Sequence, residues 1–295
     1  MMPIRLAKLM LVAAGAVALA ASPGRGAQAD TPVVANPKDD AARFVQSYAT
    51  VNPFNYVVRY RARICIGVAG LPPDQAAKLK NRIEAVAQSL TQRLYAFQQG
   101  CGGYKNVTIE FTGDPQRRLD EIAAKRPRVL GDKHSDTYNV KTVSRPIQAW
   151  YQTRDCGDVC GPERVYKHLY ETLVLVDQKR TAGADLTTIA DYVAMLVLSE
   201  PRSPDQCQTL PSVLDLFTGP CQGRTAPTGL TPTDLAYLKA VYTAEDRIWQ
   251  PVWNEGPAGD PPKRDDVAGR MGMLLAGAAP LPAPGAKPLF LPPAT

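Results

Sequence analysis

Histidine is nearly absent from this chain: 2 residues in 295, at His134 and His168. A catalytic zinc site draws two or three imidazoles from one small region, so two distant histidines with no shared motif argue against one. Also missing are a Gly-x-Ser-x-Gly elbow, a P-loop and a dinucleotide fingerprint, which removes the usual support for hydrolase and nucleotide-enzyme classes. After the N-terminus no apolar run reaches the roughly 20 residues that span a bilayer. The charge balance is small. A formal +6 includes Arg5, Lys8 and Arg25 of the N-terminal segment, and loss of that segment leaves about +3, a solubility surplus rather than a nucleic-acid footprint.

What is present begins with a leader. Arg5 and Lys8 precede an Ala/Leu/Val stretch over residues 9–21, and Ala27-Gln28-Ala29 supplies a small-x-small cleavage site. Residues 1–29 therefore read as a bacterial export signal cleaved after Ala29, which places the mature chain in the periplasm or outside the cell. All six cysteines (Cys65, Cys101, Cys156, Cys160, Cys207 and Cys221) lie beyond it. An even count in an oxidising compartment favours disulfides. Loop length and local context suggest Cys65 with Cys101, Cys156 with Cys160, and Cys207 with Cys221.

Four divisions follow: the leader, a polar lead-in at 30–50, one globular domain at 51–245 and a Pro-rich tail at 246–295. Ten of the 27 prolines fall after residue 250, so the tail is expected to be extended apart from a short helix at 266–278. Period-2 alternation over residues 56–67 marks a half-buried strand with Arg59, Arg61 and Arg63 on one face. Leu79, Ile83, Val86, Leu90, Leu94 and Phe97 follow at helical spacing, so a long amphipathic helix is expected from Pro73 to the glycines near 100. Residues 106–112 form the next strand, 115–125 a charged helix stopped by Pro127, and 147–152 and 173–177 further strands around a cysteine loop. The segment 187–198 is apolar nearly all round and must be a central helix. A short helix is expected at 210–217. Thr231-Pro232-Thr233-Asp234 then opens the last helix of the domain with a cap, a proline and an acid in their preferred places. The fold class is α+β, with a mixed sheet, a long amphipathic helix, a buried central helix and disulfide staples.

This order of elements over residues 56–244 resembles the metzincin-type zincin metallopeptidases. The residues 229–242, Gly-Leu-Thr-Pro-Thr-Asp-Leu-Ala-Tyr-Leu-Lys-Ala-Val-Tyr, look like the helix after the Met-turn of that family. The central helix takes the place of the active-site helix. Where the family carries His-Glu-x-x-His, this chain has Asp191-Tyr192-Val193-Ala194-Met195, so both helical imidazoles and the general-base carboxylate are replaced. The resemblance implies a zinc-free relative that binds rather than catalyses and needs no cofactor. Its partner would be an envelope protein, a glycan or a peptide.

Other constellations have plainer alternatives. Cys156, Cys160 and His168 offer soft ligands for Cu(I) or a redox dithiol, but the surrounding Gly and Pro favour a disulfide at a hairpin tip, with His168 on the strand surface. Asp191 and Tyr192 could be remnants of a site or a hydrogen-bonded interior pair. Asp177 and Glu200 flank the central helix and could form an acid/base pair, though no spacing selects them. The arginines of the first strand, with Arg117, Arg118, Lys125, Arg126 and Arg128, could bind an anion or form a solvated face. Trp150, Tyr151, Trp249 and Trp253 read as core or tail-docking residues. A peptidase-like hydrolase with an unrecognised site stays open as an alternative class.

Overall fold

The computed structural model describes residues 36–51, 55, 57–60, 63–90, 101–131, 140–155, 167–202, 207, 209–218, 221, 224–243 and 263–277. The leader, the cysteine loop with Cys156 and Cys160, and Arg61, His134, Trp249 and Trp253 lie outside them. So do most of the tail and residues 91–100 of the expected long helix. Among the described residues no helix is long and apolar enough to cross a membrane.

The protein is a mixed α/β structure with a four-stranded sheet. β1 (Ile66–Ala69), β2 (Val107–Thr112) and β4 (Lys167–Asp177) run parallel in that spatial order, and β3 (Ile147–Asp155) closes the edge antiparallel to β4. The alternation of side chains along each strand divides the residues between two cores. Val107, Ile109 and Phe111 of β2 and Val174 and Val176 of β4 face a large core. Trp150, Leu173 and Leu175 face a small one. β4 is thus apolar on both faces, as a covered strand must be.

The small core is roofed by α3 (Pro115–Lys125) and a 3-10 turn at Pro127–Leu130, with Leu119, Ile122, Val129 and Leu130 pointing in. Asp114 caps α3 by accepting from the Arg117 amide at 3.1 Å, and Pro115 sits at the first turn, where its missing N–H costs nothing. The large core receives α2 (Pro73–Leu90) and the central helix α4 (Leu186–Ser199), in which every residue from Thr188 to Ser199 is buried. Asp185 caps α4 by accepting from the amides of Thr187 and Thr188. A 3-10 turn at Val213–Phe217 and helix α5 (Pro232–Thr243) follow. Two disulfides, Cys65–Cys101 and Cys207–Cys221, fasten the start of β1 to the loop before β2 and close the loop holding the second 3-10 turn.

Three features differ from the sequence expectations. The lead-in contains a helix, α1 (Pro37–Tyr48), capped by Asn36; Ala41, Phe44, Val45 and Tyr48 make an i, i+3, i+4, i+7 stripe that enters the large core. The first strand is confined to Ile66–Ala69, and residues 57–60 before it make only isolated bridges. Arg59 is not part of a solvated face: it is 6% exposed, donates to the Val241 carbonyl and lies over the Tyr242 ring at 5.9 Å. The short tail helix is α6 (Arg264–Ala276), beginning two residues early, and it packs on α1 and α5 through Val267 and Met271. Gly272 permits that approach, since a Cβ there would stand 3.1 Å from the Lys38 backbone.

Candidate functional site

Asp191, Tyr192 and Met195 lie on the central turns of α4. An i, i+4 pair lies on one helix face, so Asp191 and Met195 point the same way. Asp191 is 2% exposed and fully engaged. Arg82 of α2 donates from Nε to Oδ1 at 2.6 Å and from Nη2 to Oδ2 at 3.0 Å, and the Leu230 amide donates to Oδ2 at 3.0 Å. Such a two-pronged guanidinium–carboxylate pair is the strong, directional kind. The pairing raises the affinity of the Arg82 guanidinium for its proton further.

The carboxylate also fixes a loop. Gly229 comes so close that a Cβ would lie 2.7 Å from Asp191 Oδ2, and one turn earlier the Thr188 hydroxyl donates to the Thr228 carbonyl at 2.7 Å. The segment 228–230 is thereby stitched along α4 just before α5 begins. Met195 is completely buried, and Tyr192 meets the Phe217 ring edge-on at 5.2 Å, its phenol pushed up to about 12 by burial. The donor set does not fit zinc. Both Asp191 oxygens already accept hydrogen bonds, and the partner position is a thioether.

Asp177 and Glu200 are not brought together. Asp177 ends β4 and caps its turn, accepting from the amides of Lys179 and Arg180. Glu200 caps the far end of α4 in a left-handed conformation, φ 42°. His168 sits half-buried on β4 opposite Arg154, as the strand-surface reading expects. Among the described residues no three His, Cys, Asp or Glu side chains are grouped to hold a metal.

The remaining basic residues are largely matched by acids. Arg118 pairs with Glu110 and Glu121, Arg117 with Asp114 and Glu121, and Arg126 with Glu171. Glu110, Arg118, Glu121, Lys125 and Arg126 line a cleft of about 120 Å³ between α3 and the sheet, floored by Ile122, Val129 and Leu173.

A second buried polar cluster lies at the start of α5 and was not visible in the sequence beyond its cap. Thr231 and Asp234 exchange the two bonds of a capping box, and the same Asp234 carboxylate accepts from Ser212 Oγ at 2.6 Å and from the Val213 amide at 2.8 Å. The Thr231 hydroxyl also donates to it, at 2.9 Å. Asp215 accepts from the Ser212 amide and from the Tyr48 hydroxyl, each at 3.2 Å. Burial pushes the Asp234 carboxyl up to about 6 against the pull of its hydrogen bonds, and raises Asp215 as well.

No family model matches the chain, and no curated protein or solved structure does either.

Proposed function

We propose that this protein is an exported zincin-like domain whose metal site has been replaced by a buried ion-pair clamp, and that it works by binding rather than by catalysis. Its partner belongs to the cell envelope: a protein, a glycan or a peptide. The observation that carries the reading is the state of Asp191. At the position of the first metal-binding imidazole stands a carboxylate that is 2% exposed and spends both oxygens on Arg82 and Leu230. A carboxylate with almost no access to substrate, held by a guanidinium on both oxygens, is poorly placed to take a reacting proton or a metal.

The likeness is supported by the element order: strand, long helix, strand, then α3 and a 3-10 turn, two further strands, buried helix, a loop with a tight turn, and a capped helix opening Thr-Pro-x-Asp. The 3-10 turn at Val213–Phe217 precedes that helix and is tied to it through Asp234. Export is supported by the leader over residues 1–29 and by two disulfides, which persist in oxidising compartments.

The test is to incubate the mature protein with unfolded proteins and peptides, with zinc added, and to pass envelope extracts over the immobilised protein. The expected result is no cleavage and specific retention of a partner. Cleavage that copurifies with the protein and stops on addition of a chelator would overturn the reading.

A further inference from the structure

The cluster around Asp234 goes beyond the binding reading. Asp234 is fully buried, and every group that donates to it is neutral: Ser212 Oγ, the Val213 amide, and the amide and hydroxyl of Thr231. A buried carboxylate compensated only by dipoles loses hydration without gaining a counter-ion, which favours the protonated form. The charged and titratable groups set against it are few. Tyr48 comes from α1, and Asp215 is bound to the same Ser212. Arg224 acts on Asp215 from the segment after Cys221, and Asp191, already held by Arg82, grips the neighbouring Leu230.

The geometry also offers the proton a place. Oδ2 takes three donors, whereas Oδ1 takes only the Ser212 hydroxyl. A hydroxyl can reverse its role: a proton on Oδ1 would be donated to Ser212 Oγ, which already accepts from the Leu214 amide at 3.1 Å. Protonation therefore breaks none of the backbone bonds that hold the cluster.

We propose that Asp234, Ser212, Asp215 and Tyr48 form a proton-holding latch that clamps the turn at residues 210–218 to α1 and α5 in mildly acidic surroundings and loosens it toward neutral pH. Ionisation leaves an uncompensated charge beneath the second 3-10 turn, and that turn is tied down by Asp234 and Asp215. An exported protein meets the pH of its surroundings directly, so such a latch would act as a sensor there.

The sign follows from linkage. An acid whose folded pKa is raised binds more protons folded than unfolded, so stability is highest below the unfolded value and falls as pH rises through the folded one. With 3.8 and about 6 as the two values, the folded-to-unfolded ratio falls roughly 50-fold between pH 4 and pH 7.

The experiment uses the mature chain with aspartate carboxyls labelled with carbon-13, followed by NMR titration, and denaturation midpoints measured across the same pH range. One carboxyl titrating near pH 6, absent in Asp234→Asn, is expected. The midpoint of Asp234→Asn should fall less with pH than that of the wild type, since the amide mimics the protonated acid. If that variant does not fold, Ser212→Ala serves: removing the one donor to Oδ1 should move the titration upward. Carboxyls that all titrate below about pH 4.5, or identical pH dependence in wild type and variant, would overturn the latch.

Discussion

Arg82 on α2 and Asp191 on α4 form a two-pronged pair, at 2.6 and 3.0 Å, joining helices whose partners are 109 residues apart in the chain. With the Leu230 amide also donating to Asp191, the pair makes that point a joint of the fold. Removing Arg82 should therefore unfold rather than inactivate. Arg82→Ala strands a buried carboxylate on the Leu230 amide alone, and the expected loss is about 2 kcal/mol, below the 3–5 typical of fully buried pairs because Arg82 is part-exposed. Chemical denaturation of Arg82→Ala, Asp191→Asn and the double variant measures the coupling; additive effects would contradict the clamp.

The loop that Asp191 holds gives a second prediction. In Gly229→Ala the new methyl meets Asp191 Oδ2 at 2.7 Å, closer than real Cβ contacts allow, so loop and helix must part. The expected cost is about 1–2 kcal/mol, of the order of other overpacked sites. Faster amide exchange at Leu230 than in the wild type reports it directly.

The disulfides should not be equivalent. Cys65–Cys101 spans 36 residues and Cys207–Cys221 spans 14, so loop entropy assigns them about 4 and about 3 kcal/mol. Double alanine replacement of each pair, followed by thermal denaturation, should lower Tm more for the first. Equal or reversed shifts would show that native-state packing outweighs the constraint on the unfolded chain.

Asp185 caps the central helix from an exposed position, with its carboxyl held below the usual range by the backbone amides of Thr188 and Thr187. Asp185→Ala should cost about 1 kcal/mol at neutral pH, as cap removals do. Because the folded pKa is depressed, the cap's electrostatic share is present above the unfolded value of 3.8 and fades as pH falls through the folded one. The gap between wild type and variant in denaturation midpoint should therefore narrow toward pH 3.

Much of the fold was legible because its cues are local. Asp114-Pro115 and Thr231-Pro232-x-Asp234 announce helix starts from cap chemistry alone, and α4 declares its burial by having no polar face. The lead-in helix carried its signal too: Asn36-Pro37 opens it, and Ala41, Phe44, Val45 and Tyr48 lie at helical spacing, but the charged residues between them masked the stripe. The alternation near Arg59 misled because its arginine turns inward to a carbonyl and a tyrosine ring instead of outward to water. The site is harder to read. Asp191 could be seen to replace an imidazole, yet its partner Arg82 is a remote surface-type residue on another helix, and nothing in local sequence connects them. Ser212, Asp215 and Tyr48 meet Asp234 for the same reason, through folding and not through spacing.

The most direct test of a zinc-free zincin-like domain is the metal content of the mature protein, purified from the envelope without chelators or a histidine tag and measured by elemental mass spectrometry. The account predicts zinc and copper far below one atom per chain. Near-stoichiometric zinc or copper would contradict it.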